Sequence, residues 1–191
     1  LISKALSDNG MSEEAYRLLQ YEGYPSWLYP VKNGATTIWE RLNSYTVKDG
    51  FGENNSMNSF NHYSFGAVAS WMYNYSLGIC RDEKSPGFKH FILKPEVDPT
   101  RGITHAEGYY DSMYGRIRSR WQYTDSGIRY EFTVPANTTA SLYLPAPAVS
   151  FISENGKPLK KASGVRYVSA DKELHHLELA SGSYQFDIKQ K

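Results

Sequence analysis

Near residue 80 the apolar residues of this chain stop recurring every three or four positions and begin to alternate. A helix repeats its side chains every 3.6 residues and a strand every two, so no single regular element buries both patterns. The chain therefore reads as a helical part followed by a strand-rich part, with the change at about residues 81–88. We assign residues 1–82 to the first and 83–191 to the second.

In the first part, Ser12 is placed to cap a helix opened by Glu13 and Glu14, whose charges favour a helix N-terminus. Ala15, Leu18 and Leu19 supply its apolar stripe, and Gly23 with Pro25 end it. A second helix is expected to start near residues 59–61, with Phe65, Val68, Ala69, Met72 and Tyr73 on one buried face. Gly78 is its expected stop. The loop between the two is long, and loops of that length in compact domains commonly serve a site. A third helix is expected to begin inside it, around Thr37.

In the second part, Ile117, Ser119, Trp121 and Tyr123 alternate with Arg116, Arg118, Arg120 and Gln122. After a turn at Asp125-Ser126-Gly127, Ile128, Tyr130, Phe132 and Val134 alternate with Arg129, Glu131 and Thr133. That is a hairpin with one buried and one wet face. Short strands are expected at 140–144, 149–153, 165–169, 174–179 and 184–188, with Asn155-Gly156 as a hairpin turn. Together they predict an antiparallel β-sandwich behind the helices.

Composition excludes some functions. A net charge of +1 offers no electrostatic case for nucleic acid or an anionic membrane. No run approaches the ~18 apolar residues of a membrane helix. Aromatics reach 15%, led by 16 Tyr, which suits a β-rich core or a sugar-binding face equally. The opening "LISKALSDNG" has no initiator Met and no signal-peptide layout, and reads as part of a helix in a piece cut from something longer. The lone Cys80 excludes an internal disulfide. Asn54, Asn74 and Asn137 head glycosylation sequons, which arise often by chance.

For chemistry, the stretch "NGATTIWERLNSY" sets Glu40 between Trp39 and Arg41, and in Asn61-His62 the histidine follows 22 residues after Glu40, at the expected start of the second helix. Burial against Trp39 and the charge of Arg41 act on a carboxylate in opposite senses, a balance suited to a general base. The bland alternative is a surface ion pair worth a fraction of a kcal/mol, with His62 as a structural cap. Asp49, Glu53 and Asp82 sit in loops without a distinctive setting. No metal-ligand spacing connects His90, His105, His175 and His176, and Cys80 has no base beside it in sequence. No cofactor is expected.

The blocks "YPSWLYPVKNGATTIWERLNSY", "SMNSFNHYSFGAVASWMYNYSLGI" and "PGFKHFILKP" resemble the C-terminal part of bacterial α-L-rhamnosidases, glycoside hydrolase family 78. The likeness continues in order through "YYDSMYGRIRSRW", "FTVPANTTASLYLP" and "SGSYQF". The resemblance implies the end of an (α/α)6 catalytic barrel followed by a C-terminal β-sandwich, and an inverting mechanism. It makes Glu40 the general base and His62 a contact to the rhamnose ring, with Trp39 and Asn61 shaping the site. Many members carry Trp where Leu42 stands and Gly where Leu28 stands, so the subsites differ here. The proton donor is expected in earlier barrel helices, outside this chain, so the piece is expected to be inert alone. Its partners are then a rhamnose-containing oligosaccharide or glycoside and the missing N-terminal part, with exposed helix faces favouring a homo-oligomer. Export is compatible with a polysaccharide-degrading enzyme. Two other readings remain open: a non-catalytic sugar-binding or structural sandwich, and a related (α/α)6 glycosidase of different sugar preference.

Overall fold

The computed structural model describes residues 2–52, 56 and 58–189; Glu53 and Asn54, noted above, lie outside these. The chain forms two compact units, Leu1–Trp71 with Asp98–Gly102, and Met72–Val97 with Ile103–Lys191.

The first unit holds α1 (Ile2–Asp8), α2 (Ser12–Gln20), α3 (Leu28–Lys32), a 3-10 turn (Tyr63–Ala67) and α4 (Val68–Trp71). Helices this short are unstable alone and depend on packing. Fully buried Tyr16 of α2 meets Trp71 of α4 edge-on at 5.0 Å, and the Trp71 indole donates to Ser7 Oγ of α1 at 2.9 Å. Buried Asp98 accepts from Gln20 Nε2 at 2.8 Å and from the Thr100 backbone and hydroxyl, which fastens residues 98–102 to α2.

Several local expectations change here. Ser12 is the first residue of α2 and not its cap; Met11 occupies the cap without a side-chain bond, because the Ser12 hydroxyl turns to Ser7 Oγ at 3.4 Å. Tyr16 joins Ala15 in the core, leaving Leu18 and Leu19 half-buried, since Trp71 gives Tyr16 an aromatic partner. The helix expected within the long loop lies earlier, at α3, and Thr37 sits in irregular chain. The helix expected from residues 59–61 starts at Tyr63 as a 3-10 turn, becomes α-helical at Val68, and widens to a π turn over Met72–Ser76. Each change of pitch rotates the buried face. Val68 and Trp71 are buried, while Ala69, Met72 and Tyr73 are exposed and Phe65 is half-buried. Gly78 does end the helical run: its φ is +67°, and a Cβ there would lie 2.1 Å from the Pro95 nitrogen.

The second unit is a sandwich of two sheets. One is ordered β1-β2-β6-β10-β9, built from Ile79–Arg81, His90–Leu93, Thr139–Pro145, Leu174–Leu179 and Val165–Asp171. The other is ordered β3-β4-β5-β11-β7-β8, from His105–Ser112, Gly115–Thr124, Gly127–Val134, Gly182–Lys189, Ile152–Glu154 and Lys157–Pro158. The alternation in β4 and β5 is as expected: Ile117, Ser119, Trp121, Tyr130, Phe132 and Val134 are buried, and Trp121 pairs with Tyr130 across the hairpin. Phe91, Leu93, Leu142, Leu144 and Leu177 supply the buried face of the five-stranded sheet. Asn155 and Gly156 both take positive φ between β7 and β8, as a two-residue hairpin loop requires.

Two details of the sandwich differ from expectation. Residues 149–151 form a 3-10 turn, so β7 begins only at Ile152. More significantly, β2 and β6 are parallel, with Phe91 opposite Ala140 and Leu93 opposite Leu142. Parallel neighbours need a crossover connection, and β3, β4 and β5 in the other sheet provide it.

Cys80 lies in β1 with its thiol donating to the Asn74 carbonyl at 3.0 Å. Burial pushes its pKa up to about 11, with Lys94 opposing and Glu96 adding to the shift. The thiol is therefore no nucleophile at neutral pH. Alkylation by iodoacetamide at pH 8 should run about a hundredfold slower than for an unstructured cysteine. Because the folded pKa is the higher one, the neutral thiol's contribution to stability is complete below about pH 9 and is lost as pH rises towards 11. Equal labelling rates in the native and urea-unfolded chain would contradict this.

Candidate active site

The Glu40 segment is shaped by polar ties at both ends. Asn33 closes α3, its side-chain amide donating to the Tyr29 carbonyl at 2.9 Å while its Oδ1 accepts the Val47 N–H at 3.2 Å. Gly34, at φ +87°, turns the chain away from the helix. Residues 37–40 then run alongside residues 59–62, hydrogen-bonded like a short ladder although neither segment is a strand. The Glu40 N–H donates to the Ser59 carbonyl at 2.8 Å, and the His62 N–H donates to the Ile38 carbonyl at 2.8 Å. The Thr37 hydroxyl, one residue before Ile38, donates to the Phe60 carbonyl.

This ladder brings the two candidate segments together, and it holds a carboxylate as well as backbone. The Ser59 N–H donates to Glu40 Oε2 at 2.8 Å, a charge-assisted bond that orients the acid. Among the described residues, the other oxygen, Oε1, has no hydrogen-bond partner. Glu40 is half-exposed in irregular chain, so it is no helix-start charge. Its geometry is that of an acid gripped on one oxygen and open on the other.

Trp39 is 6% exposed. It meets Phe60 edge-on at 5.2 Å and Tyr45 at 6.5 Å, and Phe51 joins both neighbours. Trp39 thus belongs to a buried aromatic cluster next to Glu40 in sequence, and its ring is no open sugar platform. His62 caps the 3-10 turn, Nδ1 accepting the Ser64 N–H at 3.5 Å. A neutral ring with an accepting Nδ1 carries its proton on Nε2, so His62 can donate from that atom. Tyr63 lies parallel to it, ring centroids 5.8 Å apart, and is 87% exposed. Asn61 is exposed, its N–H bonded to Ser59 Oγ at 3.2 Å.

The other acids and histidines have local work. Asp49 closes a turn with Thr46, and Asp82 accepts the Lys84 N–H at 2.9 Å. His90 bridges the hydroxyls of Thr139 and Ser141, His175 is buried against the Ala146 carbonyl, and His176 pairs with Glu178. Among the described residues no three His, Cys, Asp or Glu side chains cluster to hold a metal ion.

Comparison with known proteins gives the family. Residues 1–76 match the bacterial alpha-L-rhamnosidase 6 hairpin glycosidase domain, and residues 78–158 match the bacterial alpha-L-rhamnosidase C-terminal domain. The chain belongs to the bacterial α-L-rhamnosidases. An α-L-rhamnosidase of Alteromonas sp. (strain LOR) is 35% identical over 190 residues, covering 98% of the chain and 19% of that protein. The Streptomyces avermitilis α-L-rhamnosidase, solved in complex with L-rhamnose, aligns with a TM-score of 0.84 and 33% identity over 97% of the chain and 17% of its own. The Dictyoglumus thermophilum α-L-rhamnosidase aligns at 0.80 with 26% identity, over 99% of the chain and 20% of its own. The chain thus spans about a fifth of the length of these rhamnosidases and corresponds to their C-terminal portion.

Within this rhamnosidase segment, three residues around Glu40 were not singled out from sequence: Ser44, Asn58 and Ser59. Ser59 acts through its backbone, which no side-chain motif reveals. Ser44 had a readable signal, a serine three residues after Arg41, the spacing at which a hydroxyl competes for local backbone groups.

Proposed function

We propose that Glu40 is the general base of an inverting α-L-rhamnosidase that removes terminal α-L-rhamnosyl groups. The observation that carries this reading is the ladder that sets a one-sidedly held carboxylate beside the His62 segment. Glu40 Oε1 accepts a proton from water as that water attacks the anomeric carbon from the face opposite the leaving oxygen. The glycosidic bond breaks as an acid outside this chain protonates that oxygen, and the product sugar carries the inverted configuration. Such pairs stand roughly 6.5–9.5 Å apart, leaving room for the water. His62 donates to a ring hydroxyl, Asn61 borders the sugar, and Trp39 shapes the site from its buried aromatic cluster. The same reading divides the chain into the end of an (α/α)6 barrel, residues 1–82, and an accessory sandwich, residues 83–191. Relatives named as α-L-rhamnosidases, one solved with L-rhamnose bound, support the sugar.

It follows that the 191-residue chain has no turnover by itself and self-associates through uncovered apolar side chains of the first unit, such as Val31, Val47 and Tyr63. Purified chain should release no 4-nitrophenol from the aryl rhamnoside and should scatter light as an oligomer. Hydrolysis at the full-length rate by a monodisperse monomer would refute this.

A further inference from the structure

The Glu40 carboxylate is part of a closed circuit of bonds that the general-base reading does not itself require. Starting from Glu40, the chain passes to Arg41, whose N–H donates to Ser44 Oγ at 3.2 Å and whose carbonyl accepts from the same hydroxyl at 2.8 Å. One fully buried hydroxyl thus clamps both polar groups of the Arg41 residue. The Ser44 N–H adds a third bond to the Arg41 carbonyl at 3.0 Å. From Ser44 the circuit crosses to the neighbouring segment: the Asn58 side-chain amide donates to the Ser44 carbonyl at 3.1 Å. Asn58 is covalently joined to Ser59, whose N–H returns to Glu40 Oε2 at 2.8 Å.

We propose, resting on Glu40 as the general base, that Ser44 and Asn58 are positioning residues that set the height and direction of its carboxylate. The physical reason is that Glu40 lies in irregular chain, where its backbone is tied through its N–H to the Ser59 carbonyl at 2.8 Å and not by a helix or sheet. A side chain so placed would sample several orientations. The circuit removes that freedom from both sides, because the Arg41 peptide cannot rotate without breaking the Ser44 clamp. Ser59 likewise cannot withdraw its N–H without stretching the Asn58 tie. Attack by water needs the base aligned to within a fraction of an ångström, so loosening the circuit affects the rate more than sugar binding. Both residues are polar and buried or half-buried, a costly choice unless the bonds they make matter.

The test uses the full-length rhamnosidase and an activated aryl α-L-rhamnoside. Ser44→Ala and Asn58→Leu should each lower kcat by about tenfold to a hundredfold, with KM changed less than about threefold. L-rhamnose binding, measured by calorimetry, should persist and report a folded site. In the Glu40→Gln background, Ser44→Ala should add no further loss, since a residue acting through Glu40 has nothing left to position. Wild-type kcat in both single variants overturns the proposal, as does a loss that multiplies in full on Glu40→Gln. Should Ser44→Ala not fold, Asn58→Leu answers the same question alone. If Glu40→Gln itself keeps wild-type turnover, the general-base reading fails instead, a result separate from either outcome above.

Discussion

In the full-length enzyme, Glu40→Gln should reduce kcat on rhamnosides by a factor of about 100 to 10,000, the range a positioned general base contributes. The substitution keeps the side chain's length and an oxygen for the Ser59 N–H, so the bond at Oε2 and the ladder beneath it survive. What disappears is the capacity to take a proton. L-rhamnose affinity should therefore change little, and the loss should appear in kcat. A second readout distinguishes the base from a bystander. In Glu40→Gly, added azide needs no deprotonation and should restore turnover, giving a rhamnosyl azide of inverted configuration. Wild-type turnover in Glu40→Gln, or restoration giving retained configuration, would sink the mechanism.

The largest stability effect should come from Trp121→Ala, at about 3–5 kcal/mol. Trp121 is fully buried on β4 and stands opposite equally buried Tyr130. Its indole donates to the Ser76 carbonyl at 2.8 Å, while Ser119, two residues before it, donates to the Leu77 carbonyl at 2.6 Å. Leu77 also seats on Gly108 of β3, where an added Cβ would come within 2.3 Å of its side chain. Removing the indole leaves a cavity and takes a hydrogen bond from the buried Ser76 carbonyl, and the two costs add. Trp121→Phe should cost less, since most of the volume remains and only the donor is lost. Urea unfolding followed by far-ultraviolet circular dichroism checks both variants. A shift below about 1 kcal/mol for Trp121→Ala would show that Ser76 and Leu77 are anchored by something else.

How much of this was legible beforehand depends on the range of the interaction. The β4–β5 hairpin could be read residue by residue, because strand alternation and its turn are local and nothing distant competes with them. β10 runs over the six expected residues, and Asn155-Gly156 turned where only positive φ fits. β1 and β2 escaped because they have three and four residues, too few for a period. β3 escaped for another reason: it is half-exposed, and its Tyr109, Tyr110 and Asp111 show no alternation. The direction of β2 against β6 could not be read at all, since alternation is the same in a parallel and an antiparallel neighbour.

The helical part was harder because its period is not constant. Pitch changes twice between Tyr63 and Ser76, so counting by 3.6 assigned Met72 and Tyr73 to a face they do not occupy. For the candidate site, Glu40, His62 and Trp39 were proposed from the sequence blocks that contain them, and the structure sets the Glu40 and His62 segments side by side. The bond from the Ser59 N–H to the carboxylate was not, since a backbone donor carries no residue signature.

By itself, then, the sequence determined that helices come first and a β-sandwich second, and which residues of the long strands face inward. Those are consequences of local period and local chemistry. Tertiary structure alone decided that residues 37–40 lie against residues 59–62, that the Trp39 ring is buried, and that the Ser59 N–H holds one oxygen of Glu40. These depend on backbone hydrogen bonds between segments about twenty residues apart, and such bonds are made by atoms every residue shares.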